Sequence, residues 1–466
     1  MALRPLYGAE KLQQVKELLG TLEKDLEEHS LSSSQKTQFL LQLRQHGTSP
    51  DNAGPIYSKR GMELLSKYGV EGESPDVRRA ALRCIANALL LDPNMRQIFV
   101  DTGRGGKLAE MLKCDSSEDE MIISRILFIS TYNTTMDFKK LIDEHSLADN
   151  VAYQLHRHLD QLPESGEGSL AQIDELGLTD TSKLIFNVSK IYSNLAPAFS
   201  SSIPHIFNLV CRLRIPSQPL DGVLGSLLNC LSTLDLENKE GTPFENSPLF
   251  PPSDQNRNVD KLIKILDLSI SSGTPQDLDI KGVSLLYVLI NLYELAPEET
   301  RGHVETLLLP DDSDRSQPIG QSDTLSSKLL KLSTAPFSNI KNAVSELLFV
   351  LSGKDAEKLT KNIGYGYSSG ILASRGIQLP ETAGEAFAAE EHDPEINPIT
   401  GQRWDAERQD TGPPMTREEK EREAERLFVL FERARANEIL NVENPVRQAL
   451  HEGRLEELPD SESDRD

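Results

Sequence analysis

Two glycine-rich segments are the first candidates for chemistry, because backbone amides in such loops can bind phosphate groups. The Gly-Lys pair at 106–107 lacks a glycine five residues earlier, where Asp101 stands, and Leu108 follows where a Ser or Thr would bind magnesium. Residues 364–370 resemble a dinucleotide fingerprint, but their glycine spacing is one residue too long and a helical pattern precedes them. We therefore predict that the chain binds no nucleotide directly and needs no cofactor.

Histidines and cysteines give no metal-binding or nucleophile pattern. His156 and His158 project from different faces of a predicted helix, and no spacing typical of a zinc site occurs. No two cysteines form a Cys-x-x-Cys pair, which is typical of reduced thiols in the cytosol. The four are Cys84, Cys114, Cys211 and Cys230. The sequence therefore predicts no metal site and no catalytic chemistry, so the protein is expected not to be an enzyme.

The charge balance narrows the class of partner. The formal net charge is −24, and a chain this acidic is a poor match for nucleic acid or for an anionic membrane surface. The longest apolar stretch, Val283–Leu295, is too short to cross a bilayer, and residues 1–20 lack the apolar region of a signal peptide. We expect a soluble cytoplasmic protein without a transmembrane segment.

A recurring helix type indicates the fold. Apolar helical segments repeat along the chain, and in four of them a single Asn interrupts the apolar run: Asn87, Asn187, Asn229 and Asn291. With Asn133 included, the steps are 46, 54, 42 and 62 residues, close to the armadillo and HEAT period once surface-loop insertions at 163–169 and 238–256 are allowed for. Stacked helix pairs share one continuous core. The sequence predicts an all-α armadillo/HEAT-repeat superhelical solenoid, capped by two helices in 1–46.

Each recurrent Asn has two interpretations. On a concave face its amide can bond the backbone of a bound segment, whereas inside the stack it satisfies a neighbouring polar group. The recurrence of the set favours the first interpretation.

The composition changes after the array. Residues 379–466 hold 24 acidic and 11 basic residues, more than half of the net charge. Thr416 and Glu419 form a capping-box pattern ahead of an amphipathic face. We predict a solenoid over 1–378, an acidic flexible linker over 379–415, an amphipathic helix over 416–440 and an acidic tail over 441–466.

Three C-terminal motifs, at 362–376, 396–401 and 415–427, resemble the synembryn family in order and spacing. The resemblance implies a guanine nucleotide exchange factor and folding chaperone for heterotrimeric G-protein α subunits. Such a protein binds the GDP-bound or nascent subunit, promotes GDP release and stabilises the nucleotide-free form until GTP binds. The alternative is an armadillo-type peptide or cargo adaptor, or a scaffold, without exchange activity.

The resemblance also implies a concave groove for the last helix of the α subunit and a C-terminal helix that reaches its nucleotide domain. The groove candidates are Arg78, Arg79, Arg83, Asn87, Asn187, Asn229 and Asn291; the reaching candidates are Leu427, Phe428 and Phe431. Ser461 and Ser463, flanked by acidic residues, are candidate phosphorylation sites. The expected location is the cytoplasm, with recruitment to the cell cortex through the partner.

Overall fold

The computed structural model describes residues 6–72, 74–237, 248–377, 396–397 and 400–407, and the single positions 416, 422, 425, 426, 428 and 429. Over these residues the chain forms α-helices and short 3-10 helices, without a β-strand. The α-helices are α1 Gly8–Glu28, α2 Ser33–His46, α3 Lys59–Glu71, α4 Pro75–Leu91, α5 Asn94–Asp101, α6 Gly105–Met111, α7 Ser117–Ile129, α8 Phe138–His145, α9 Leu147–Asp160, α10 Gln172–Ile191, α11 Ile203–Arg212, α12 Gly222–Leu231, α13 Arg257–Ser272, α14 Pro275–Lys281, α15 Val283–Leu295, α16 Glu298–Leu308, α17 Leu325–Ser333, α18 Ser338–Leu351 and α19 Ala356–Ser374. The 3-10 helices are Ser193–Ser202, Asp314–Ser316 and Trp404–Ala406.

Local sequence explains where several helices begin. Ser32 accepts a hydrogen bond from the Gln35 amide, and the Gln35 side chain accepts one from the Ser32 amide, which completes a capping box at α2. Ser74 caps α4, where Pro75 occupies the first turn and loses no intrahelical bond there. Ser116 caps α7, whose first turn is acidic, as the helix dipole favours.

Six helices pack side by side in chain order and form what we call the central row: α4, α7, α10, α12, α15 and α18. The remaining helices flank this row, with α2 against α4 at its start and α17 and α19 against α18 at its end. Because each helix buries Leu, Ile and Val against its neighbours, one continuous core runs through the array. This arrangement confirms the predicted all-α repeat fold.

Small polar side chains tie neighbouring row helices together. Ser124 of α7 and Thr181 of α10 share a buried hydrogen bond of 2.8 Å, and the Cys230 thiol of α12 donates to the Ser182 carbonyl of α10 at 2.8 Å. Burial raises the pKa of Cys230 to about 12, so this thiol stays protonated and can donate. These two hydrogen bonds therefore link α7 to α10 and α10 to α12.

Two features differ from the sequence-based picture of the repeats. Asn133 lies beyond the end of α7 with a left-handed backbone (φ 54°), a conformation that Asn tolerates, so it marks a turn and is no counterpart of the helical Asn residues. Within the predicted loop at 238–256, Leu249 and Phe250 are buried, and the Asn258 side chain donates to the Leu249 carbonyl at 2.7 Å. The latter part of that insertion therefore belongs to the core.

The chain divides into two units, Met1–Glu407 and Arg408–Asp466. Residues 400–407 fall in the segment predicted as a linker, yet they lie in the first unit, hydrogen-bonded to the array. No helix among the described residues is long and apolar enough to span a membrane.

Candidate partner-binding face

The four predicted Asn residues all lie on helices of the central row: α4, α10, α12 and α15. Asn187 is buried and donates its amide to the Thr131 hydroxyl at 2.8 Å, so it ties α10 to the end of α7. Asn87, Asn229 and Asn291 are partly exposed, and among the described residues their side chains make no hydrogen bond. Their amides are thus available to a bound backbone, whereas the amide nitrogen of Asn187 already has a partner.

An arginine cluster, formed by Arg44 of α2 with Arg79 and Arg83 of α4, lies at the start of the row. Arg79 donates to both carboxylate oxygens of Asp119, at 2.6 and 2.9 Å, and to the Ser116 hydroxyl at 3.1 Å. Burial, together with the like charges of Arg44 and Arg79, lowers the pKa of Arg83. These like charges favour an anion beside Arg83, and the chain itself supplies one.

Glu118, in the first turn of α7, is the anion that the cluster already holds. Its carboxylate pairs with Arg83 and lies 3.6 Å from Arg79. The predicted groove arginines are thus satisfied within the chain. Arg78 lies apart from them, since it donates to the Gly72 carbonyl at 3.0 Å beyond the end of α3. An incoming carboxylate would have to displace Glu118 to reach Arg79 and Arg83.

Aromatic rings and cations alternate at the C-terminal ends of α7 and α10; we call this the aromatic patch. Phe128 and Tyr132 pack edge to face with 6.4 Å between ring centroids. Lys183 lies 5.5 Å from the Phe128 centroid, and Arg96 lies 5.7 Å from that of Tyr132. The nearby Phe186 is covered in the same way by a lysine, Lys190, at 5.1 Å.

The aromatic patch is suited to holding an apolar helix face. Tyr132 remains 43% exposed, and Phe128 and Phe186 are only partly buried. Aromatic anchors of this kind dominate binding energy at protein interfaces. Sequence reasoning missed the patch, although Phe186 directly precedes Asn187 and Phe128 and Tyr132 are one helical turn apart. Those two spacings were the available indication.

A buried ionic network links α7, α9 and α10 near the start of α7. The fully buried Glu120 carboxylate accepts from Arg157 at 2.6 Å, from the Thr181 hydroxyl at 2.8 Å and contacts His158 Nε2 at 2.8 Å. These partners lie on α9 and α10, so the network locks both helices to α7. His158 is buried in this network, while His156 is exposed, with its ring centroid 5.3 Å from that of His205. No group of ligands suited to a metal occurs in the described part of the chain.

Most of the candidates at the C-terminal end lie outside the residues that the structure describes. Phe428 is helical. Leu427, Phe431, Ser461 and Ser463 lie outside the described residues.

Fold and surface together define a helical-repeat protein with a candidate binding face on its central row. Residues 39–454 match the family model described as guanine nucleotide exchange factor synembryn. The chain therefore belongs to the synembryn family of guanine nucleotide exchange factors.

Curated relatives carry the names of chaperones. Chaperone Ric-8A of Macaca fascicularis is 26% identical over 462 residues, covering 89% of this chain and 83% of that protein. A synembryn-like chaperone of Schizosaccharomyces pombe is 31% identical over 183 residues (36% of this chain, 34% of that protein). Chaperone Ric-8A of Xenopus tropicalis is 30% identical over 219 residues (44% and 38%). These last two alignments span about a third of the relatives' lengths. Among solved structures, a designed armadillo repeat protein aligns with a TM-score of 0.38 and 15% identity, covering 60% of this chain and 99% of that one.

Proposed function

We propose that this chain binds the α subunit of a heterotrimeric G protein, promotes GDP release and stabilises the nucleotide-free subunit until GTP binds. The observation that carries the proposal is the match to the exchange-factor family over residues 39–454. The chaperone names of the relatives support the holding of an incompletely folded subunit. The protein would act by partner binding, without catalytic chemistry of its own.

The central row offers the contacts that capture of a helix requires. The aromatic patch can bury apolar side chains of the captured helix, and Asn87 and Asn229 can bond polar groups at the ends of that helix. The arginine cluster can pair with its terminal carboxylate. We therefore propose that the last helix of the α subunit binds along the central row. The predicted C-terminal helix would supply the second contact.

Linkage explains how such binding releases GDP. If GDP and this chain disfavour each other's binding to the subunit, each lowers the binding free energy of the other by the same amount. A change in occupancy from 99:1 to 1:99 requires about 5.5 kcal/mol of differential binding. Two tethered contacts can reach this value, because the second binds at a raised effective concentration.

The test measures GDP release from an α subunit with and without the full chain, and repeats it with an α subunit that lacks its last helix. We expect faster release from the intact subunit and little effect on the truncated one. A chain that neither binds nucleotide-free α subunit nor changes its GDP release rate would refute the proposal. Binding without faster release would instead indicate an adaptor or scaffold.

A matched pair of variants locates the binding face. Tyr132→Ala removes an exposed ring of the aromatic patch, and we expect it to cost about 1–2 kcal/mol of binding free energy, as an interface anchor would. Ile280→Ala removes an even more exposed apolar side chain (74%, against 43% for Tyr132) from α14, outside the row, and should leave binding unchanged. Equal affinities for the two variants would place the α subunit elsewhere.

A further inference from the structure

Residues 396–397 and 400–407 form a compact element, which we call the clip. Its backbone closes on itself through a bond from the Asn397 amide to the Gln402 carbonyl at 2.7 Å and one from the Gly401 amide to the Asn397 carbonyl at 2.8 Å. The Asn397 side chain also donates to Glu407 at 3.0 Å. The clip therefore has a defined shape, although it follows the last array helix by some twenty residues.

Arg315 joins the clip to the array. Its backbone carbonyl accepts from the Arg403 amide at 2.9 Å, and its guanidinium donates to the Gly401 carbonyl at 3.0 Å. The same guanidinium donates to the Lys361 and Asn362 carbonyls, at 3.2 and 2.9 Å. One buried side chain thus connects a loop, a helix and the clip.

The helix bound by Arg315 is built to receive it. Gly364 interrupts α19 with φ 68° and ψ 159°, so the carbonyls of Lys361 and Asn362 lie at the end of a helical segment and need outside donors. A cation at a helix C-terminus is also favoured by the helix dipole. The first glycine of the motif at 364–370 is therefore explained by this junction.

The clip fits closely against the loop. A Cβ atom on Gly401, whose φ is +66°, would lie 2.7 Å from Cδ1 of Ile319, and the Ile319 amide donates to the Thr400 carbonyl at 3.1 Å. Gln402 is 7% exposed and donates to the Ser316 carbonyl at 3.2 Å. Glycine at 401 is thus required both by the backbone conformation and by the close approach.

From this geometry we propose that Arg315 and the clip anchor the C-terminal segment to the array and so determine how effectively its helix reaches a bound partner. With the clip anchored, eight residues, 408–415, separate Glu407 from the predicted helix start at Thr416. With the clip released, 38 residues, 378–415, separate Ile377 from Thr416. If this segment is the predicted flexible linker, effective concentration falls as roughly the 3/2 power of length, which gives a loss of about tenfold.

The inference rests on the proposed function, and its test begins without any partner. Hydrogen exchange should show protected amides at Ile319 and Arg403 in the wild-type chain. Gly401→Val should remove that protection while amides of α18 stay protected. Gln402→Ala, which introduces no clash, should weaken the same protection. Asp405→Asn removes the charge of an exposed pair with Arg403 but keeps an oxygen that can accept the local backbone bonds, and it should preserve the protection. Unprotected wild-type amides would overturn the anchor, whether or not the chain acts on a G protein.

The functional arm compares the clip variant in two full-length backgrounds. In the wild-type background, Gly401→Val should raise the chain concentration for half-maximal GDP release about tenfold. Combined with Phe428→Asp, which impairs the predicted reaching helix, Gly401→Val should add no further loss. An equal loss in both backgrounds would mean that the clip has only a structural role, and this would overturn the positioning role. No loss in either background would also overturn it. A wild-type chain without effect on GDP release would instead refute the proposed function. The hydrogen-exchange result would then still decide whether the clip is anchored to the array.

Discussion

Replacing Glu118 with Gln is expected to strengthen binding of a partner's terminal carboxylate. Glu118 occupies the arginine cluster, because it pairs with Arg83 and lies 3.6 Å from Arg79. A carboxylate from a bound helix can take its place only by breaking these interactions. Glutamine keeps the size of the side chain but not its charge, so the arginines become more available.

The magnitude follows from the exposure of the pair. The Arg83 and Glu118 side chains are 26% and 34% exposed, so water and salt screen their attraction. Pairs of this kind contribute about 0.2–1 kcal/mol. Removing the competing charge should therefore raise affinity by up to about fivefold. Thermal unfolding should show a loss of at most about 2 kcal/mol, since the variant loses both the ion pair with Arg83 and a helix-dipole interaction of about 0.3–1 kcal/mol.

The assay is titration of the full chain with a peptide from the C-terminus of an α subunit, either with a free carboxylate or amidated. Glu118→Gln should improve binding of the free peptide alone. Glu110→Gln, which removes a carboxylate paired with Lys107 and His145 away from the cluster, should improve neither. Equal gains for both peptides, or no gain for the free peptide, would refute the role given to the arginine cluster.

Three further predictions concern the central row and the first helix of the array. Asn187→Ala should cost about 1 kcal/mol of unfolding free energy in urea, because a buried hydrogen bond is lost, whereas Asn87→Ala should leave stability unchanged and weaken partner binding. Gly177→Ala should lower the unfolding free energy by about 1–3 kcal/mol, because the new Cβ would lie 2.9 Å from Glu120 Oε2. This strain exceeds the gain of ~1 kcal/mol in helix propensity, so a more stable variant would contradict the prediction. Burial alone would raise the pKa of Asp25, but its hydrogen bonds and its lysine partner outweigh burial, so the pKa is lowered in the folded chain. Its contribution to the unfolding free energy is therefore complete above the unfolded pKa, about 4, and is lost as the pH falls further. Asp25→Asn should flatten the acid limb of the unfolding free energy measured against pH.

Sequence patterns identify the helices because a helix depends on local spacing. The apolar period indicates α4, α7 and α10, and the single Asn in each of four segments marks helices that the fold brings into one row. The difference between Asn187 and Asn229 is not readable in this way. It depends on whether a hydroxyl from another repeat lies within reach, and Thr131 is 56 residues from Asn187.

Long-range pairs explain the rest of what sequence could not give. Arg79 and Arg83 look free in sequence, yet their partners lie some 35 to 40 residues away at the start of α7. Arg315 shows no distinguishing local pattern, although it contacts backbone groups 46, 47 and 86 residues away. Such contacts are set by how the repeats stack, and a pattern read along one helix carries no information about them.

The positions of the arginine cluster and the aromatic patch constrain what the central row can bind. Glu118 lies in the first turn of α7 and Phe128 near its end. Ten residues of helix separate them by about 15 Å. A helix lying across both sites must therefore place its carboxylate and its first apolar anchor about ten residues apart. We therefore expect the row to favour a helical C-terminus of at least three turns, because a shorter segment could use one site but not both. If the α subunit binds here as proposed, its affinity should fall when its last helix is shortened below three turns, and an affinity independent of helix length would contradict the use of both sites.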